Sequence, residues 1–240
     1  MSDKLQLPPS DQIYQQAMAR SAEINRQVAR ERIARALDLA VLKPTATRED
    51  VRKAAALVEK EGIASLCVAP CNVTVARRIT TRVTAVIGFP HGNTTPAVKL
   101  AEAALAVGHG ATELDVVINY GRFLEGRERL VHEELTWIVH TVRKFGVPVK
   151  AILETCYYNG QQLWNACQLC VKCGVDFVKT STGYAAGGAT PEAVRVMLEA
   201  VAGKAQVKAS GGIKTYADAA MYLDLGCTRL GAGRYEELLP

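Results

Sequence analysis

Three lysines recur in one short apolar setting. Val149-Lys150-Ala151, Val178-Lys179-Thr180 and Val207-Lys208-Ala209 follow one another at a spacing of 29 residues. Each lies in a run that otherwise reads as buried strand, and a buried ammonium is costly unless something compensates it. For Lys179 two accounts stand open. In one it pairs with an acid such as Asp115 or Glu154. In the other it is an amine whose charge is suppressed by a second cation and by partial burial, which together lower its pKa from about 10.4. A drop of about three units costs roughly 4 kcal/mol and frees a large fraction of the amine at neutral pH. Such an amine adds to carbonyls and forms Schiff bases. Lys208 is the candidate second cation. Schiff-base chemistry also needs a proton carrier, and Asp115, within Glu113-Leu114-Asp115-Val116-Val117-Ile118-Asn119, sits in an apolar run that does not otherwise call for a carboxylate. It is open either to acid/base work or to a structural ion pair. Lys150 is followed by four more strand-like residues, which places it deeper in the sheet than the other two or on another face.

These side chains need a scaffold that brings distant strands to one place. Eight short apolar runs, at 36–42, 63–69, 82–89, 111–119, 147–155, 175–180, 205–210 and 227–232, alternate with helical stretches. That alternation argues for a parallel sheet. Gly62, Gly110, Gly146, Gly174 and Gly226 stand where helices end before strands, Thr47 with Asp50 forms a capping box, and Thr190-Pro191 opens another helix. Eight strands with eight helix positions, and no Gly-x-Gly-x-x-Gly after the first strand, predict a single (β/α)8 TIM barrel and not a doubly wound sheet. In such a barrel chemistry sits at the C-terminal ends of the strands, where Lys179 and Lys208 fall. Residues 11–36 have helical spacing without Pro or Gly and precede the first strand. The expected division is an N-terminal helical extension over 1–32 and a barrel over 33–240, with a truncated final helix. Tyr14, Met18 and Ile24 are expected to form a helix face that packs on the barrel or on another subunit.

The 240-residue chain is 49% hydrophobic and 22% charged, with a formal charge of +5 spread along its length. Charge therefore gives no case for nucleic acid or a membrane surface. Without an apolar leader or a long apolar span, the expected location is cytoplasmic. Seven cysteines, an odd number, argue for reduced thiols.

Beyond these readings, the segments GVDFVKTSTG with GGAT, VKASGGIKT, ELDVVIN, VIGFPHGNTT, KAILETCY and ASLCV resemble deoxyribose-phosphate aldolase, in order, from about residue 33 to 234. The resemblance implies a class I aldolase that reversibly cleaves 2-deoxy-D-ribose 5-phosphate to D-glyceraldehyde 3-phosphate and acetaldehyde, with no metal or organic cofactor. It implies that Lys179 is the Schiff-base lysine, Lys208 the lysine that lowers its pKa and Asp115 the proton relay. It further implies a homodimer or larger homo-oligomer acting on a small phosphorylated sugar. Barrel loops after strands 6, 7 and 8 are the expected phosphate donors, through Gly183, Gly211, Gly212, Gly231 and Gly233. Asp38 and Cys67 are expected to line the substrate pocket, Cys67 with possible reactivity toward aldehydes.

Three departures from the family pattern stand out. Relatives read Asp-His-Thr-Leu-Leu-Lys-Pro in the first strand, where this chain has Ala40 in place of the hydroxyl. In the last strand the serine positions hold Gly233 and Arg234, so Arg234 is expected either to take the anion with a charge-assisted contact or to face solvent. Few residues follow the last strand. The altered positions keep open a Schiff-base barrel acting on another small aldehyde or keto acid. A sugar-phosphate-binding barrel without turnover would be marked by loss of Lys179, Lys208 or Asp115, and all three are present. Cys167, Cys170 and Cys173 imitate part of an iron-sulfur motif but lie on one drifting helix stripe, and His91 and His109 lack partners at metal-ligand spacing.

Overall fold

The computed structural model describes residues 10–240, with the side chains of 10–19, 21 and 22 outside the description. A helix α1 (Ser10–Ala36) runs directly into strand β1 (Leu37–Val41). Units then repeat: α2 (Arg48–Glu61) and β2 (Ser65–Val68), α3 (Val73–Arg77) and β3 (Val83–Ile87), α4 (Pro96–Gly108) and β4 (Glu113–Val117). A short α5 (Tyr120–Leu124) and α6 (Glu128–Arg143) lead to β5 (Val149–Ile152), α7 (Gly160–Cys173) to β6 (Phe177–Lys179), α8 (Pro191–Val201) to β7 (Gln206–Ser210), and α9 (Tyr216–Leu225) to β8 (Arg229–Ala232). The strands close into a parallel barrel in sequence order, β8 pairing with β1. Each falls within one of the eight apolar runs.

Local signals set these boundaries. Thr47 and Asp50 cap α2 reciprocally, and Gly62 ends it in the left-handed region at φ 67°. Thr190 accepts from the Ala193 amide ahead of Pro191, and Gly174 and Gly226 end α7 and α9 in left-handed backbone. The helices bury one stripe each against the outside of the barrel, such as Val51, Ala55 and Val58 of α2, each contributing about 1.5–3 kcal/mol for a full-sized aliphatic side chain. Cys167, Cys170 and Cys173 belong to this layer, all buried on the inner side of α7.

The last turn of α1 enters the core through Ile33, Ala34 and Ala36, so the helix runs unbroken across the expected boundary at 32 and 33. Arg30 holds Glu61 at 2.7 Å and Arg32 holds Asp224 at 2.7 Å, tying this helix to α2 and α9. Ile24 is 54% exposed and does not pack on the barrel, correcting that half of its expectation; Tyr14 and Met18 lie outside the described side chains. After β8 the chain makes a three-residue 3-10 turn, Glu236–Leu238.

The register fixes the heights of the three lysines. Lys179 lies opposite Lys208 on one side and Ile152 on the other, whereas Lys150 lies opposite Asp115 and Phe177. Lys150 is thus two residues, about 6.6 Å of strand, below the level of the other two.

Candidate active site

Barrel interiors are ordinarily filled by branched apolar side chains. Here the interior of this barrel carries a charged cluster. Lys179, the last residue of β6, donates to Asp115 Oδ2 at 2.8 Å, and Lys208 of β7 donates to the same oxygen at 2.7 Å. The other oxygen, Oδ1, takes Lys150 at 2.9 Å. Lys208 also donates to Asp38, and Lys150 reaches Asp38 at 3.5 Å and Glu113 at 2.5 Å. Arg229 closes the group from below, 2.6 Å from Asp38 and 3.1 Å from Glu113. Lys150, Lys208, Asp38 and Asp115 are wholly buried and Lys179 nearly so.

Four cations face three carboxylates, so the fully ionised cluster holds one surplus positive charge. The amines differ in how firmly they are held. Lys150 meets three carboxylates and Lys208 two, but Lys179 meets one. Converting Lys179 to a neutral or covalently bonded nitrogen therefore gives up the fewest ion pairs. It is also the amine at the strand end facing the loops.

The electrostatics of the neighbours follow from burial set against charge. Burial alone would raise Asp115, but Lys150, Lys179 and Lys208 outweigh it and hold the carboxyl well below the usual range. Asp38 is held at about 2, where burial is outweighed by Lys150, Lys208 and Arg229. Burial pulls Lys208 down while Asp115 and Asp38 pull it up, and the carboxylates prevail. Lys150 is raised for the same reason. Lys208 thus acts beside Lys179 as a persistently charged neighbour. Cys67 lines the pocket as expected, yet burial and then Asp115 push its thiol up to about 11. That makes it a poor nucleophile, counter to the expected reactivity.

Above the cluster opens a cavity of about 240 Å³. Its floor is Asp38, Cys67, Lys179 and Lys208, and its far wall is built from the loops after β6, β7 and β8. Gly183, Gly211, Gly212, Gly231 and Gly233 all line it. Gly211 and Gly212 take φ 84° and 81°, a path L side chains resist, and an added Cβ on Gly188 would lie 2.4 Å from the Gly211 carbonyl. Asp115 lies beneath the cavity. Arg234 is turned away: it pairs with Glu237, is largely exposed, and borders an adjoining outer cavity of about 870 Å³.

Several residues join the site in roles that the sequence reading did not assign them. Lys150 belongs to the cluster, deeper as expected but on the same face. Arg229 and Glu113 complete its base. Lys214, two residues after the Gly-Gly pair, puts a further cation on the cavity wall. Glu154 follows β5 with left-handed backbone, φ 61° and ψ 66°, which costs a non-glycine residue about 1 kcal/mol or more. Its carboxyl accepts from the Thr182 hydroxyl and from the Thr182 amide at 3.3 Å. The repeated Val-Lys-Ala spacing was the available signal for Lys150; no spacing rule links Glu154 to Thr182.

Residues 32–232 match the family model described as DeoC/LacD family aldolase. The chain belongs to the DeoC/LacD family of aldolases. Among relatives of this family, a deoxyribose-phosphate aldolase of Carboxydothermus hydrogenoformans is 44% identical over 210 residues, covering 85% of this chain and 92% of the relative. One of Caldanaerobacter subterraneus subsp. tengcongensis is 41% identical over 205 residues, covering 83% and 89%. The solved tetrameric deoxyribose-phosphate aldolase of Aeropyrum pernix superposes with a TM-score of 0.82 at 30% identity, covering 96% of this chain and 97% of that one. This solved relative thus shares the barrel over nearly its whole length. Among the described residues, no helix is long and apolar enough to cross a membrane.

Proposed function

We propose that this chain is a class I aldolase that reversibly cleaves 2-deoxy-D-ribose 5-phosphate to D-glyceraldehyde 3-phosphate and acetaldehyde. The observation that carries the reading is a strand-end lysine, Lys179, sharing one carboxylate oxygen with a second lysine at the floor of a glycine-walled cavity.

The Lys179 amine adds to the substrate aldehyde, and loss of water gives an iminium. Removal of the C3 hydroxyl proton sends the C2–C3 bonding electrons into the iminium, releasing D-glyceraldehyde 3-phosphate and leaving an enamine. Protonation of that enamine carbon and addition of water return acetaldehyde and the free amine. Asp115 and the Lys208 ammonium bracket the reacting nitrogen and carry protons through these steps, with water as the exchange partner. Lys208, held charged and bound to the same carboxylate oxygen as Lys179, is a proton donor for these steps. The phosphate is held by backbone N–H groups of the loops at Gly183, Gly211–Gly212 and Gly231–Gly233, with Lys214 as the cation on that wall. Asp38 fixes Lys208 and Arg229 and shapes the floor. The route uses only amines and carboxylates of the chain itself.

Residues 1–32 are proposed as an extension outside the catalytic barrel, and the working form as a cytoplasmic homodimer or larger homo-oligomer. The tetrameric Aeropyrum pernix relative supports an assembly. The deciding experiment is borohydride reduction in the presence of acetaldehyde, which should leave one ethyl group on Lys179, seen by peptide mass spectrometry. A protein that stays unlabelled under conditions where it is folded would defeat the aldolase reading.

A further inference from the structure

One buried acid behind the cavity-lining Thr182 takes no part in the amine cluster. Glu154, buried at the end of β5, addresses Thr182 with both oxygens: each lies 3.3 Å from the Thr182 amide, and Oε2 meets the Thr182 hydroxyl. A carboxylate only accepts hydrogen bonds, so the Thr182 hydroxyl spends its single proton on Glu154. The Tyr184 amide, itself only a donor, lies 3.1 Å from the same hydroxyl oxygen and occupies one of its lone pairs. What Thr182 can offer the cavity it lines is the remaining lone pair.

The chain order Lys179, Thr182, Gly183 runs from the reactive amine to the glycine wall. An open-chain deoxyribose 5-phosphate bound by its aldehyde to Lys179 and its phosphate to that wall presents its hydroxyls between them. Resting on the aldolase reading above, we infer that Glu154 is a positioning residue that fixes the Thr182 hydroxyl as an acceptor, so that the enzyme selects acceptor aldehydes bearing a hydroxyl beside the carbonyl. The left-handed backbone at Glu154 fits this role, since strained conformations persist where surrounding structure and function require them.

The test runs the reaction in the synthetic direction with acetaldehyde as donor. Two acceptors are compared: D-glyceraldehyde 3-phosphate and its 2-deoxy analogue, 3-oxopropyl phosphate. The unmodified enzyme should favour the hydroxylated acceptor by about tenfold or more in kcat/KM, the weight of one hydrogen bond of this kind. Glu154→Leu should reduce that ratio to within about twofold, through a higher KM for the hydroxylated acceptor, while acetaldehyde and borohydride still label Lys179. Thr182→Val should do the same without touching the carboxylate, and serves if Glu154→Leu does not fold. The double variant should lose no more selectivity than either single one, because both remove one shared contact. An unchanged ratio in a variant that still labels, or additive losses in the double variant, would overturn the inference and leave the aldolase reading standing. Failure of the unmodified enzyme to label overturns both.

Discussion

Lys179 and Lys208 are bound to one atom, Oδ2 of Asp115, at 2.8 and 2.7 Å. Their two nitrogens can be no farther apart than the sum of those distances, so each amine is always in the other's field. A lone lysine in this barrel would be an ordinary ion pair with Asp115. The second one changes its chemistry, because the carboxylate's attraction is divided between two claimants of which Lys208 is additionally anchored by Asp38.

Replacing Lys208 by methionine removes that claimant. Asp38 keeps Arg229 and Asp115 keeps Lys150, so the barrel should remain folded. The kcat should fall about 100-fold or more, the usual weight of a positioned proton donor. Steady-state turnover measured on folded protein checks this, and an unchanged kcat would refute the assigned part of Lys208.

The aspartates predict acid sensitivity with a definite sign. Asp38 falls from an ordinary 3.8 to about 2 on folding, and Asp115 is likewise held well below its ordinary value. A depressed carboxyl contributes stability above its unfolded value and loses it as pH falls through the folded one, at about 1.4 kcal/mol per unit of depression. Glu134 and Glu154, raised mainly by burial, have the opposite sign: their contribution is complete below about 4.5 and is lost as pH rises through their folded values. The aspartates therefore govern the window from about pH 4 down to 2, where urea-unfolding free energies should drop steeply. Asp38→Asn should flatten that slope.

Thiol reactivity should divide by position. Cys71 and Cys156 are exposed, whereas Cys67 is buried with its thiol pushed up to about 11. Iodoacetamide at pH 8 should alkylate Cys71 and Cys156 well before Cys67, as followed by peptide mapping. Activity should persist through the first phase of labelling. Fast modification of Cys67 would contradict its burial.

Gly231 tests how tightly Lys208 is packed. A Cβ there would lie 2.7 Å from Ser210 Cβ and 3.3 Å from Lys208 Cε. Gly231→Ala should cost about 1–3 kcal/mol by overpacking and, by moving the Lys208 stem, lower kcat at least tenfold. Thermal unfolding and turnover measured together separate the two consequences.

The barrel was legible from sequence because its signals are local: glycines ending helices, capping residues, and apolar runs repeating with the period of one strand-helix unit. Lys179, Lys208 and Asp115 were legible because charges stood out inside apolar runs. Arg229 and Glu113 escaped because they sit at the starts of their strands, where charge is unremarkable, and Arg229 meets both Glu113 and Asp38 only once β8 closes onto β1. Cys67 lines the cavity, but what sets its thiol's pKa, burial and charges from β1, β4, β6 and β7, cannot be read from its own strand. Arg234 was left between anion and solvent; its partner Glu237, three residues on, gives it a local contact that needs no ligand.

The charged cluster also bears on how such a barrel can change over generations. Seven side chains from six strands share so few oxygens and nitrogens that the loss of a carboxylate leaves its buried cations in greater excess. Descendants of this chain can drift along their helices and loops, but in the middle of the barrel a lost carboxylate calls for a matching loss of a cation. A route to a new chemistry in this scaffold therefore begins at the rim, with Ala40, Thr182 and Gly233, and reaches the floor last.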